Sequence, residues 1–414
     1  MKRATPVGSA EIVAVGTELL LGETLDTNGA WLAAELASRG VDVFWSVRVG
    51  DNLGRVRGAI ETALQRSDLV LTSGGLGPTE DDLTREAIAA VMDETPTVDA
   101  ELERELRSFF ARRGRPMPER NLKQAWRIPS CEPLPNPRGT APGWLVRTHR
   151  GGNDRWIAAL PGPPHELERM FERELLPRLP LPSARLFRTT LKTSGIGESE
   201  AAERLQAWTS GANPSVATYA RADGVHVRVA AKAVDAASAE ALVRPLAAKV
   251  KERLGDFVWG CDDDRLEEVV IRAARRTNVR LAVLDRGTGG RLGTALADVD
   301  EDASVLIGAV VACQVDAMNP FRVPVAADEG FAAPEAADRI RTFFAADAAI
   351  AVGELRPADG EGGDVSVDVA VCDAEGSEAV TLRLAGSAGP WLRDRVVLRA
   401  LDLLRRRLRT HAEP

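Results

Sequence analysis

The stretch Gly74-Gly-Leu-Gly-Pro-Thr-Glu-Asp-Asp82 carries the residue types from which a phosphate and cation site can be built. Gly74, Gly75 and Gly77 let the backbone approach a ligand without Cβ atoms in the way. Free amides at such a turn form an anion site suited to a phosphate. Asp81 and Asp82 add what a plain phosphate cradle lacks, oxygen ligands for a hard cation such as Mg²⁺. Pro78 stiffens the turn, and Thr79 with Asp81 and Asp82 stands where helix caps are expected. The same residues also describe a capped helix after a tight turn, the two aspartates serving only the helix dipole. A glycine-rich turn alone does not separate these two readings.

The elements around the turn must position it. Asp68-Leu-Val-Leu-Thr72 is a short apolar run that predicts a buried parallel strand. Leu83–Val91 has apolar residues at helical spacing. Upstream, Glu11–Val15 reads as a strand ending in Gly16-Thr-Glu-Leu-Leu-Leu-Gly22, and Thr27–Gly40 as a helix closed by a glycine. Val41–Val47 is a second strand, and Leu53–Arg66 a helix with Leu53, Val56, Ile60 and Leu64 on one face. This alternation predicts an α/β fold with a parallel sheet covered on both sides. Ligands collect at the carboxyl ends of such strands, where Gly16–Gly22 and Gly74–Asp82 both lie. A third loop, Pro135–Gly143, offers Asn136, Arg138 and Thr140, and reads equally well as a stiff connection without a ligand. Trp156–Leu160 then runs into Pro161-Gly-Pro-Pro-His-Glu166. Leu167, Met170 and Phe171 read as core. His165 is placed either as a base or as a solvent-facing residue before a helix.

A length of 414 residues calls for two or three domains. The 44% hydrophobic and 28% charged fractions are those of an ordinary globular protein, and the net charge of −8 argues against general nucleic-acid binding. No apolar run is long enough to cross a bilayer, and Met1-Lys-Arg-Ala is not followed by a signal-peptide core. The cysteines at 131, 261, 313 and 372 form no C-x-x-C pair and the histidines are scattered, so a structural zinc site is not expected. A reduced, cytoplasmic compartment is the simplest reading. Pro180–Ser183 reads as a linker into a small α+β unit over Leu186–Asp256, where Gly195-Ile-Gly-Glu-Ser199 is a turn and helix cap with a spacing or assembly role. The last part opens with a helix at Leu266–Arg276 and a strand at Val279–Leu284. A second glycine turn follows at Asp285–Gly290, and the arginine-rich terminal helix Trp391–Leu408 reads as a solvated face.

Taken together, these motifs resemble the competence/damage-inducible protein A (CinA) family. Gly16–Gly22, Asn28, Ser73–Thr84, Asn136 with Gly139–Gly143, Leu160–Glu166 and Gly195–Ser199 carry the resemblance. It implies a three-layer molybdopterin-binding-like domain over 1–182, a KH-like middle domain over 183–260 and a nicotinamide-nucleotide amidase-type α/β domain over 261–414. It also implies a homodimer and metal-dependent hydrolysis of ADP-ribose by the first domain. On that reading Gly74, Gly75 and Gly77 hold a phosphate, and Asp81 and Asp82 with Glu18 hold Mg²⁺. Thr79, Thr84, Asn28 and Asn136 then contact or orient substrate. Glu18 is equally placed to cap the next helix, and Asp82 to pair with Arg85 at the surface. Binding of a pterin-like or nucleotide ligand without turnover is the second reading. A non-catalytic scaffold in DNA uptake or repair is the third.

The last domain departs from the family pattern. Where family amidases carry Glu-Ser-Cys-Thr-Gly-Gly, this chain has Asp285-Arg-Gly-Thr-Gly-Gly290, so Arg286 replaces the nucleophilic serine. The family's lysine falls on Met318, and no lysine follows Lys251. The family's Gly-Ile-Ala-Gly-Pro loop has become Gly353-Glu-Leu-Arg-Pro357. Covalent amide hydrolysis needs an activated nucleophile beside a base, so this domain is expected to keep its fold and lose deamidase activity.

Overall fold

The structure, a computed structural model, describes residues 5–312, 332–358, 363–386 and 389–410. The chain forms two compact units, Met1–Phe187 with Lys232–Ala239 and Arg188–Ala231 with Glu240–Pro414.

The first unit is built on a six-stranded sheet. Four strands run parallel in the order Asp42–Val49, Ser9–Val15, Leu69–Ser73 and Asn153–Leu160. Leu69–Ser73 is buried at every position, as a strand covered on both faces must be. Adjacent residues of Ser9–Val15 serve opposite layers. Val13 packs with Ile60, Leu64 and Ile88 of the helices Leu53–Arg66 and Thr84–Met92. Ile12 packs with Leu32, Leu36 and Leu167 of Thr27–Ser38 and Pro164–Met170. The result is the three-layer α/β arrangement that the sequence predicts. The sheet is not parallel throughout, however: Gly143–Arg150 and Cys131–Leu134 extend it antiparallel. Gly151 and Gly152, with φ of 60° and 81°, allow the two-residue reversal into Asn153–Leu160, so these strands form a hairpin and need no crossover.

Register fixes where the loops emerge. Val15 pairs with Val49, Ala14 with Ser73, and Ser73 with Leu160, so all four parallel strands end at one edge. Two backbone bonds continue the pairing into the loops, from Gly16 N to Val49 O at 3.0 Å and from Gly74 N to Leu160 O at 3.1 Å.

The second unit holds two sheets. One is four-stranded, in the order Ser215–Arg221, Gly224–Ala233, Arg185–Thr193 and Val258–Cys261. In the other, Leu306–Val311, Leu281–Asp285 and Ala348–Val352 are parallel, and Val365–Asp373 joins them antiparallel. The helix Ala333–Phe344 and the strand Gly376–Leu384 of this sheet are additions to the elements read from the sequence. Among the described residues no helix is long and apolar enough to cross a membrane.

Candidate functional site

The turn after Leu69–Ser73 is held open by two glycines in left-handed conformation, Gly74 at φ 96° and Gly75 at φ 67°. A Cβ at Gly74 would run into the Val15 carbonyl, and one at Gly75 into Thr84 Oγ1. Both positions therefore require glycine. Thr84 is fully buried, and its hydroxyl donates to Gly74 O at 2.8 Å while its amide donates to Gly75 O at 3.2 Å. Its role is thus to set the loop from behind; the expected substrate contact is not made, because the side chain faces the core. Among the described residues the amides of Gly75, Leu76 and Gly77 donate to no protein acceptor. Three successive unspent amides form an anion cradle.

Asp82 folds back over this turn. Its Oδ2 accepts the Thr79 amide at 2.9 Å and the Thr79 hydroxyl. Thr79 does not line the cavity described below, and its hydroxyl is shared between Asp82 and Asp81. The Thr79 hydroxyl, then the Asp81 amide, hold the exposed Asp81 carboxyl below its ordinary range, with Lys123 adding a smaller contribution. Lys123, which sequence reasoning missed, fastens the loop from beneath. Its Nζ donates to Thr79 O at 3.1 Å and Asp82 O at 2.5 Å, and pairs with Glu86 at 2.7 Å. It lies about forty residues downstream in a short 3-10 helix, Glu119–Ala125, with no local pattern to flag it. Arg85 is fully buried and does not pair with Asp82 at the surface. It donates to Leu76 O at 2.8 Å and Pro142 O at 2.9 Å, tying the glycine turn to the third loop. Burial pushes its guanidinium down to about 10.

A cavity of about 490 Å³ opens at this sheet edge, and its wall includes Glu18, Asn28, Gly74, Gly75, Gly77, Asp81 and Asp82. Six carboxylates face it, and no lysine, arginine or histidine does. Four of them are engaged. Asp26 caps Gly29 N, Asp51 accepts the Thr17 amide and hydroxyl, Asp82 holds Thr79, and Glu166 accepts from Asn136. The Glu18 carboxylate has no hydrogen-bond partner among the described residues and lies over Gly16. It does not cap a helix: the five-residue helix Thr17–Leu21, read as loop from the sequence, contains it. Among the described residues no group of three or more His, Cys, Asp or Glu side chains gathers closely enough to hold a metal ion. Mg²⁺ is commonly bound through one or two carboxylates together with substrate phosphates, and Glu18 and Asp81 beside an amide cradle fit that mode.

Two asparagines order the loops. Asn28 Nδ2 donates to Ser73 Oγ at 2.9 Å and to Gly162 O at 2.7 Å. Asn136 lies off the cavity wall. Its Nδ2 donates to Glu166 Oε2 at 2.6 Å and Ala141 O at 2.9 Å, and its Oδ1 accepts the Gly139 amide at 3.1 Å. Its side-chain amide is engaged by its own loop and by Glu166, which it positions. His165 is largely exposed, 3.9 Å from Glu166, and is not on the wall.

The family model described as a probable molybdopterin binding domain matches residues 11–181, and the damage-inducible protein CinA KH domain matches 188–260. A CinA-like protein of Deinococcus radiodurans is 54% identical over 290 residues, which cover 70% of this chain and 71% of that protein. This chain belongs to the CinA family. A CinA-like protein of Desulfovibrio desulfuricans is 36% identical over 413 residues, or 96% of each chain. A crystal structure of CinA from Thermoplasma acidophilum is 35% identical and covers 40% of this chain and 94% of its own, with a TM-score of 0.36.

In this CinA-family chain the second glycine turn is closed. Asp285 is buried, and its carboxylate accepts the amides of Gly287, Thr288 and Gly290 at 3.1, 2.7 and 2.8 Å, together with the Thr288 hydroxyl. Amides that are open in the first unit are thus filled here by the protein's own carboxylate. The Arg286 side chain is buried and lies 3.3 Å from Glu354. Cys313 and Met318 are outside the described residues.

Proposed function

We propose that the first unit of this CinA-family chain hydrolyses a nucleotide pyrophosphate with the help of a divalent cation, ADP-ribose being the leading substrate. One observation carries the reading. Three unspent amides and two uncommitted or ionised carboxylates, Glu18 and Asp81, share one cavity that holds no basic side chain. A phosphate entering such a wall meets repulsion unless a cation comes with it. Glu18 and Asp81 would hold that cation, Mg²⁺ by the hardness of their oxygen donors, and Asp82 would join them only by releasing Thr79. When bound, the cation would neutralise charge on the phosphoryl oxygens and acidify a coordinated water. The amides of Gly75, Leu76 and Gly77 would orient one phosphate, while Asn28, Thr84 and Arg85 hold the loops in place. The test is incubation of the purified chain with ADP-ribose and a panel of divalent ions. AMP should appear with Mg²⁺ or a similar ion and disappear with EDTA or in Asp81→Asn. No AMP under any ion would refute hydrolysis.

The molybdopterin-binding description of the matched model supports a second reading, ligand binding without turnover. Titration calorimetry showing tight nucleotide or pterin binding with no product in any metal would favour it. For the last domain the reading is loss of deamidase activity. An arginine at the nucleophile position and a turn filled by Asp285 support it. Conversion of nicotinamide mononucleotide to its acid form by the chain would overturn it. A fold kept without its chemistry leaves a scaffold role open to this domain. Capture of the same protein partner by the full chain and by residues 265–414, without turnover by the first unit, is the result that would favour it.

A further inference from the structure

The second unit contains a cavity of about 370 Å³ whose wall carries Arg221, Arg383, Arg395 and Arg399. These come from separate elements: the strands Ser215–Arg221 and Gly376–Leu384 and the helix Pro390–Thr410. The wall thus gathers four arginines in a chain whose net charge is −8. Here, among the described residues, none of the four has a carboxylate within salt-bridge distance. Asp402, the acid nearest Arg399 along the helix, is taken by Arg405 at 2.7 Å and Arg406 at 2.9 Å. Asp223, the only carboxylate on the wall, lies 2.9 Å from His226 Nε2.

The wall also includes Gly195-Ile196-Gly197. Gly195 has φ 83°, and Arg399 Nη1 would stand 2.7 Å from a Cβ there, so the missing side chain is what lets the guanidinium reach the turn. The amides of Gly195, Ile196 and Gly197 donate to no acceptor among the described residues. Arg399 is half-buried, and burial, Arg406 and Arg395 all depress its guanidinium below the ordinary value. Convergent like charges beside unspent amides are unfavourable for the empty protein and become favourable when an anion enters.

We propose that this cavity binds a small polyphosphate-bearing ligand, with Arg383, Arg395 and Arg399 and the Gly195–Gly197 amides as its donors. The volume is at the low end for a small-molecule site, enough for a pyrophosphate group. No aromatic side chain lines it, whereas single-stranded nucleic acid is held by stacking on aromatics along an open groove. The inference is independent of the cation-assisted chemistry proposed for the first unit.

Titration calorimetry of the full chain with inorganic pyrophosphate in EDTA tests it, because the acid-lined first cavity disfavours the anion without a cation. Saturable binding at one site per chain is expected. Arg399→Gln, and separately the exposed pair Arg383→Gln with Arg395→Gln, should each weaken it by about tenfold or more. Absence of binding at millimolar pyrophosphate would overturn the proposal, as would unchanged affinity in the exposed double variant. Tighter binding of a single-stranded oligothymidylate, lost in the same variants, would also overturn it and assign the cavity to nucleic acid.

Discussion

Asn28 and Gly162 lie 134 residues apart in sequence, yet the Asn28 side chain donates to the Gly162 carbonyl at 2.7 Å. The same amide nitrogen donates to Ser73 Oγ at 2.9 Å. One side chain thereby joins the loops that leave three of the parallel strands, and the cavity exists because those loops are held at a common edge.

Replacing Asn28 by alanine removes both bonds. At about 1 kcal/mol net for each, the variant should lose roughly 1–3 kcal/mol, read as a lower melting midpoint. Asn28→Asp should lower the midpoint at least as much and weaken the proposed nucleotide binding, because a carboxylate cannot donate to the Gly162 carbonyl and repels it. Binding unchanged in both variants would mean that the loops keep their places without Asn28.

Thr84 gives a sharper contrast. Its buried hydroxyl satisfies the Gly74 carbonyl at 2.8 Å, so Thr84→Val should cost about 1–3 kcal/mol by leaving that carbonyl unpaired. Thr84→Ser keeps the donor and should lose much less. If serine lost as much as valine or more in equilibrium unfolding, the hydroxyl would not be what holds the turn.

Much of this was legible in the sequence. The helix Leu53–Arg66 has the boundaries its apolar spacing predicts, and the strand and helix around Gly74 stand as read, although the helix starts after Leu83 without the side-chain cap expected from Thr79, Asp81 or Asp82. Local pattern sufficed there because each element is organised by its own periodicity. Roles that depend on distant partners were not legible. Thr84 and Asn136 are polar residues in ligand-like positions, but their bonds go to the protein, and nothing in their neighbours says so. Arg85 reads as a surface helix residue, and its burial follows from carbonyls at Leu76 and Pro142. The antiparallel hairpin had a signal in the Gly151-Gly152 pair between two apolar runs. Lys123 had none.

The charge state of Asp81 makes a pH prediction. Its carboxyl is depressed chiefly by the Thr79 hydroxyl, so it remains ionised below the ordinary aspartate value of about 3.9. A depressed folded value means that the associated stabilisation is complete above the unfolded value and is lost as pH falls through the folded one. In Thr79→Val the Asp81 titration should therefore move up toward the ordinary value, observable through the carboxyl carbon resonance. The acid limb of any cation-dependent turnover should move up with it. A titration that stays in place would remove Thr79 as the cause.

The closed turn of the second unit answers to Asp285. Asp285→Asn keeps nearly the same shape but replaces an acceptor of three amides and a hydroxyl with a group that presents one oxygen and two donors. Some of those amides then lose a partner in a buried place, at about 1.5–3 kcal/mol for each charged hydrogen bond. The expected result is a drop of several degrees in the melting of this unit, with no change in any ADP-ribose turnover that the first unit is found to have. Asp285→Ala should be worse still, unless an added anion occupies the vacated amides. Partial rescue of Asp285→Ala by millimolar phosphate would show that the turn is an anion cradle filled from within. Equal stability of all three proteins would mean that the Asp285 carboxylate contributes nothing to holding the turn.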